Sequence, residues 1–372
     1  MSRPRLVCVV GARPNFMKIA PIYARLSATQ TIEPFLVHTG QHYDAAMKDT
    51  FFRQLDLPEP EVDLGVGSGS HAFQTAQIMQ RFEPVLEQIA PFAVLVVGDV
   101  NSTLACGLVA VKKQVPLIHV EAGLRSFDRT MPEEINRVLT DQISEVLFTT
   151  EPSAKANLLR EGIAEDKIHF VGNVMIDALL RCLEKAIPPE ETLIRYGVSP
   201  PSQFGVLTLH RPANVDHPQV LARLIEALAA VSFKLPLVFP CHPRTFKAIE
   251  RFGLAKRLAQ AEIYVTPPLG YLEMVGLVNK AQLVLTDSGG LQEETTALGV
   301  PCLTLRENTE RPVTVTEGTN TLVGTDPERI LACVEETLAT GGKRGCIPEL
   351  WDGRAAERIA QVIEARFLCS TR

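Results

Sequence analysis

The stretch PFAVLVVGDVNSTLACGLVAVKKQVPLIHVEAG, residues 91–123, decides the fold. Ala93–Gly98 and Leu117–Glu121 are short continuous apolar runs, and Leu104–Lys113 between them carries a helical pattern. An apolar run of this length reads as a strand buried on both faces. Two such runs joined by a helix make one strand–helix–strand unit of a parallel sheet. Each run ends in a carboxylate, Asp99 after the first and Glu121 after the second.

The rhythm extends both ways from there. Upstream lie strand candidates Leu6–Val10 and Phe35–Thr39, with helices over Phe16–Ser27 and Ala72–Gln88. Downstream lie strands Val146–Thr150 and His169–Gly172, with helices over Glu133–Ser144 and Ser153–Arg160. The pattern pauses over Ile187–Ser202, where Pro188, Pro189, Pro200 and Pro201 read as a linker. A second series follows: Gly205–Leu209, Leu237–Pro240, Ile263–Thr266, Leu283–Thr286 and Cys302–Leu305, with helices over His217–Val231 and Tyr271–Asn279. Arg354–Phe367 closes the chain as an amphipathic helix, with Ala356, Ile359, Ala360, Ile363 and Phe367 on one face. The expected fold class is α/β, with two doubly wound Rossmann-like domains.

The chain's 372 residues suffice for two full cores, and its 46% hydrophobic content is that of a globular protein. A net charge of −6 argues against nucleic acid or an anionic membrane surface as the main partner. No apolar run approaches the ~20 residues of a membrane helix, and Met1–Gly11 reads as a first strand and turn rather than a signal peptide. Eight cysteines, none in a CxxC pair, read as reduced core thiols. A cytoplasmic protein is expected.

In doubly wound sheets, ligands bind beyond the carboxyl ends of the strands. TDSGGLQEE (286–294) runs from a strand through Ser288, Gly289 and Gly290 into a helix. Its N–H groups suit an anion, and a carboxylate of the Glu293/Glu294 pair suits a ribose diol. The same residues also fit an ordinary helix cap with acidic complement to the helix dipole. In GARPNFMK (11–18), Arg13 offers a fork for a diphosphate and Lys18 a point charge, or both simply decorate a basic turn. Asp99, Glu121 and the Glu133/Glu134 pair are candidate acids and bases, though the last also reads as helix-terminal charge. His210 and His242, with Arg211 and Arg244 adjacent, sit at strand ends of the second half and suit a polyanion. No metal-ligand spacing, GxSxG, GxxxxGK[ST] or GxGxxG after the first strand is present.

Ten ordered segments together resemble the non-hydrolysing UDP-N-acetylglucosamine 2-epimerase family. They are GARPNFMK (11–18), TGQHYD (39–44), GDVNST (98–103), HVEAGLRS (119–126), PEEINR (132–137), HRPANVD (210–216), HPRT (242–245), TDSGGLQEE (286–294), LRENTERP (305–312) and GTNTLVG (318–324). The resemblance implies a glycosyltransferase-B-like fold, with domains over 1–186 and 187–353, the active site in the cleft between them, and a helix (354–372) returning to the first. It implies catalysis by Asp99, Glu121, Glu133 and His210. Substrate contacts are implied at Arg13, Lys18, Arg137, His242, Met274, Ser288, Gly289, Gly290, Glu294 and Arg311. Met274 stands where relatives often carry an aromatic residue near the uracil. No cofactor or metal is implied.

The activity implied is interconversion of UDP-N-acetylglucosamine and UDP-N-acetylmannosamine by elimination and re-addition of UDP. Rival readings are a hydrolysing 2-epimerase, a 2-epimerase of a diacetamido-uronic UDP-sugar, a glycosyltransferase and a non-catalytic UDP-sugar sensor. A homodimer is implied. A second UDP-N-acetylglucosamine is implied as an activator, touching Gln41, His42 and Arg244. Asp44, where activated relatives often carry glutamine, implies weaker activation through like-charge repulsion.

Overall fold

Valine, isoleucine and leucine dominate the strand candidates, and branched side chains suit a pleated surface covered on both faces. A computed structural model, which describes residues 3–40 and 52–368, shows them as two parallel sheets. The first contains β1 (Arg5–Val10), β2 (Glu33–His38), β3 (Val62–Asp63), β4 (Ala93–Val97), β5 (Leu117–Val120), β6 (Val146–Thr149) and β7 (Ile168–Phe170). Their order is β3-β2-β1-β4-β5-β6-β7. The second contains β8 (Gly205–Thr208), β9 (Leu237–Pro240), β10 (Ile263–Thr266), β11 (Leu283–Thr286), β12 (Cys302–Thr304) and β13 (Asn320–Leu322), in the order β10-β9-β8-β11-β12-β13. In each sheet the order reverses beside the first strand, at β1/β4 and at β8/β11, and a crevice opens at such a reversal.

In the first sheet Val7, Val9, Val37, Val94 and Val96 pack against Ile78, Phe82 and Leu86 of the helix His71–Ile89 and against Ala105, Cys106 and Val109 of the helix Asn101–Lys112. The alternate residues Leu6, Cys8, Leu36 and Leu95 are also fully buried. Both faces are therefore covered, as the continuous apolar runs require. The second sheet divides its core the same way. Leu207, Phe239, Leu285 and Leu303 belong to one cluster, and Val206, Val238 and Val284 to another.

The chain forms two compact units, Met1–Leu180 with Glu349–Arg372, and Arg181–Pro348. Within the first, the last helix, Ala355–Phe367, packs on the helix Arg13–Thr29. Asp177 holds its start: the carboxylate accepts from the N–H groups of Ala355 (3.1 Å) and Ala356 (2.7 Å). The indole of Trp351 donates to the carbonyl of Thr150 at 2.9 Å.

The expected strands and helices are present, and the structure adds others, among them the helices Val174–Leu183 and Pro243–Arg251. The expected linker Ile187–Ser202 contains a helix, Pro189–Arg195. Pro189 stands at its first turn, where the missing N–H has no helical partner to lose. The two-residue strand β3 and the three-residue β13 lie at sheet edges, too short for an apolar run to mark them. The helix Pro327–Thr340 was not expected either, although Asp326 caps it through the N–H of Glu328 at 3.0 Å.

Candidate active site

Three strand ends carry the polar groups of the first unit. Beyond β1, the side chain of Asn15 accepts from the N–H of Gly11 (3.2 Å) and Ala12 (3.0 Å) and donates to the carbonyl of Val97 (3.0 Å). It thus ties the turn after β1 to the end of β4. Arg13 opens the following helix; its side chain is outside what the structure describes. Lys18, one turn on and 5% exposed, lies 2.5 Å from a carboxylate oxygen of Glu121. Both members of this ion pair are buried. A buried pair of this kind is weak evidence of stability, because desolvation offsets much of the attraction between the charges.

The turns are shaped for this contact. Gly98 has φ +66°, and a Cβ there would stand 2.8 Å from the Lys18 nitrogen. Glu121 has φ +70° although it is not glycine. A left-handed non-glycine residue stores strain that the surroundings must hold, and such strain concentrates at working sites.

The helix Pro132–Ile143 holds these ends from one side. Its Arg137 donates from Nε to Asp99 at 3.0 Å and is also paired with Glu134. Asn136 donates to the carbonyl of Asp99 at 2.9 Å. Glu134 accepts from the N–H and hydroxyl of Ser126, both at 2.9 Å, and from the N–H of Phe127 at 3.0 Å. Asp141 is fully buried; burial pushes its carboxyl up, but His119 and Arg125 together pull it below the usual range. Glu133, in the first turn, is partly exposed, and its side chain has no hydrogen bond or ion pair among the described residues. Of the expected first-half residues, the structure therefore brings Lys18 to Glu121 and Arg137 to Asp99. Glu134 was expected only as one of the Glu133/Glu134 pair, and Asn136, Asp141 and His119 were not expected. The three-, four- and seven-residue spacings among Glu134, Arg137 and Asp141 on one helix face were the available signal.

In the second unit Asp287 organises the end of β11. Its carboxylate accepts from the N–H of His210 (3.0 Å) and Arg211 (2.9 Å), from the Asn214 amide (3.1 Å), and lies 3.0 Å from the His210 ring. Burial raises this carboxyl, yet the His210 ring and the backbone N–H groups leave it below the usual range. Asp287 thereby fixes His210, whose side chain is 38% exposed.

Ser288 stands at the N-cap position of the helix Gly289–Leu298, with no side-chain capping bond. A Cβ on Gly289 would stand 2.5 Å from an Arg311 nitrogen, so glycine is needed for the close approach. Arg311 is 7% exposed and paired with Glu293 and Glu310, each at 2.8 Å. Burial raises the Glu310 carboxyl, but Arg311, Arg306 and Arg211 hold it far below its ordinary value. Glu294 is buried and accepts from the hydroxyl of Tyr271 at 3.0 Å; burial, opposed by that bond and reinforced by Glu293, pushes its carboxyl up to about 7. Met274 packs half-buried beside the cluster that includes Leu277 and Leu291.

His242 begins the helix Pro243–Arg251, accepts from the Arg244 N–H at 3.2 Å, and lies with its ring centroid 6.1 Å from that of His210. Arg244 is exposed and ion-paired with Asp216. Gln41, His42 and Asp44 lie outside the described residues. Among the described residues no cluster of three histidine, cysteine or acidic side chains is placed to hold a metal. No described helix is long and apolar enough to cross a membrane.

In each unit the polar groups thus gather at the carboxyl ends of the strands, paired acids and bases in one, and a Ser-Gly-Gly helix start beside a buried arginine in the other. Residues 24–364 match the profile of the family described as UDP-N-acetylglucosamine 2-epimerase. The chain is 43% identical over 360 residues to UDP-N-acetylglucosamine 2-epimerase of Methanococcus maripaludis, covering 95% of this chain and 97% of that one. It is 42% identical over 363 residues to UDP-2,3-diacetamido-2,3-dideoxy-D-glucuronate 2-epimerase of Pseudomonas aeruginosa, covering 96% and 99%. Among solved structures it is similar to Methanocaldococcus jannaschii UDP-GlcNAc 2-epimerase in complex with UDP-GlcNAc and UDP. The TM-score is 0.89 at 42% identity, over 97% of this chain and 99% of that one. The chain belongs to the UDP-N-acetylglucosamine 2-epimerase family, and its two doubly wound units are of the glycosyltransferase-B-like type.

Proposed function

We propose that this chain interconverts UDP-N-acetylglucosamine and UDP-N-acetylmannosamine by inverting C2. The observation that carries the reading is the pairing of Lys18 with Glu121 beside that of Arg137 with Asp99, on adjacent strand ends. Two buried or half-buried carboxylates, each with a cationic partner, are what proton removal and delivery at one carbon require. A base takes the C2 proton while the C1–O bond to UDP breaks, which leaves a C1=C2 double bond and free UDP. UDP then adds back to C1 as C2 gains a proton on the opposite face. We assign Asp99, Glu121 and Glu133 to proton transfer.

The weakly acidic C2 proton leaves only if the departing diphosphate is stabilised. We assign that to the Ser288–Gly290 N–H groups, His210, Arg13 and Arg311, with His242 alongside. Glu294 takes the ribose and Met274 the face of the base. The chain's own acids and bases carry every step.

In D2O the UDP-sugar pool should gain deuterium at C2 and contain both epimers by NMR. Free N-acetylmannosamine with stoichiometric UDP would mean hydrolysis, and no deuterium would remove the epimerase reading. The 42% identity to the Pseudomonas diacetamido-glucuronate epimerase favours one second reading, the same chemistry on that uronic sugar. Parallel assays of both UDP-sugars separate the two. A homodimer in the cytoplasm, activated weakly by a second UDP-N-acetylglucosamine, belongs to the same proposal. The reduced cysteines support its location: Cys8, Cys106, Cys182, Cys241 and Cys302 are free and buried. Sedimentation tests the dimer. Turnover from pure UDP-N-acetylmannosamine should begin without a lag.

A further inference from the structure

His119 is the third residue of β5, in a strand whose other members are apolar, and it is fully buried. An imidazole in a sheet core is costly unless both ring nitrogens find partners. Both do, and both partners are oxygens. Nδ1–H donates to Asp141 at 2.6 Å, and Nε2–H donates to the carbonyl of Gly98 at 2.8 Å.

Those two bonds join the turns that carry the acids. The N–H of Gly98 donates to the carbonyl of Val120 at 3.0 Å, so with His119 on its carbonyl Gly98 is held from both sides. The next residue is Asp99. The other oxygen of Asp141 accepts from the N–H of Gly123 at 3.0 Å and from Arg125 at 2.7 Å. Gly123 has φ +79° and lies two residues past Glu121. Arg125 is locked in turn by Glu161 at 2.6 and 2.8 Å. His119 therefore ties the turn after β4 to β5 through Gly98, while Asp141 orients its ring and holds the turn after β5 through Gly123. Neither group is on the surface that a substrate reaches.

We propose that His119, oriented by Asp141, is a positioning residue that sets the geometry of Asp99 against Glu121. The proposal rests on the epimerase reading above for what those two carboxylates do, and on the hydrogen bonds alone for how they are held. A displacement of about 1 Å in a reacting group costs on the order of 10² in rate without loss of binding.

Two isosteres divide the ring's two bonds. In His119→Gln the amide nitrogen reaches the place of Nε2 and keeps the bond to Gly98. In His119→Asn it reaches the place of Nδ1, keeps Asp141 and leaves Gly98 free. His119→Gln should retain kcat within about 10-fold. His119→Asn should lose about 10²-fold. KM and the calorimetric Kd for UDP should stay within about twofold in both.

Amide hydrogen exchange reads the same contrast without substrate. Peptides spanning 98–100 should exchange faster in the Asn variant and at the wild-type rate in the Gln variant. Equal kcat in the two variants, a UDP affinity that falls in step with kcat, or unchanged exchange at 98–100 in His119→Asn each overturns the proposal. If His119→Asn does not fold, His119→Gln decides alone: a kcat near wild type sustains it, and a loss of 10²-fold or more overturns it. Wild-type protein inactive on both UDP-sugars would sink the epimerase reading, while the exchange contrast would still decide the positioning.

Discussion

At the residue scale, Glu294 makes a measurable statement about protons. Its carboxyl is raised from 4.5 to about 7, chiefly by burial. A carboxyl that binds its proton more tightly folded than unfolded favours the folded state at low pH, and that advantage is lost as pH rises through about 7. Glu294→Gln mimics the protonated form. It should match wild-type stability near pH 4 and exceed it above pH 8, at about 1.4 kcal/mol per pH unit of separation, so by roughly 3 kcal/mol in denaturant melts without ligand. A gap of the same size at both pH values would contradict the assignment. Asp99→Asn, Glu121→Gln and Glu133→Gln should each lower turnover by ~10²–10⁴ with UDP still bound. Near-normal turnover in Glu133→Gln would reduce Glu133 to helix-terminal charge. Asp99, Glu121 and His210 were legible in the sequence because each ends an apolar run. His119 was not, since a single polar residue inside LIHV carries no sign of its two partners, and those partners are set by tertiary packing.

At the element scale, the strand-end turns are more demanding than the strands. Gly98→Ala places a Cβ in the left-handed region and 2.8 Å from the Lys18 nitrogen. The backbone term alone is about 1–2 kcal/mol. Turnover should fall further than stability does, because Lys18 cannot yield without leaving Glu121; a thermal melt and an NMR rate assay on one preparation check this. A loss of stability with full activity would mean that the pair tolerates displacement. Periodicity and apolar runs located the elements well, and the proline-rich Ile187–Ser202 shows the limit. Pro188 and Pro189 read as breakers, yet a proline is equally at home in the first turn of a helix, as in Pro189–Arg195. The strand β3 was invisible for a different reason: two residues carry no period, and its pairing with β2 exists only once the sheet has formed.

At the scale of the whole molecule, the return of residues 349–372 to the first unit governs its integrity. Deleting them removes the Ala355–Phe367 helix, the Trp351 bond to Thr150 and the partners of Asp177. Asp177 is itself pushed up to about 6 by burial, so it is a poor group to leave uncapped. Exchange protection should collapse in β1 and β2 and persist in β8 and β11; equal loss in both would mean that the units fold as one. The pattern of apolar residues in Arg354–Phe367 announced a packed helix, but only the resemblance indicated where it packs. Because the second unit begins and ends inside the first, a ribosome that has just added Leu180 has built an incomplete body. At ~5–20 residues per second the missing helix arrives roughly 10–40 s later. For that interval the face of Arg13–Thr29 on which the last helix packs is uncovered, and the later half must be synthesised before the earlier one can close.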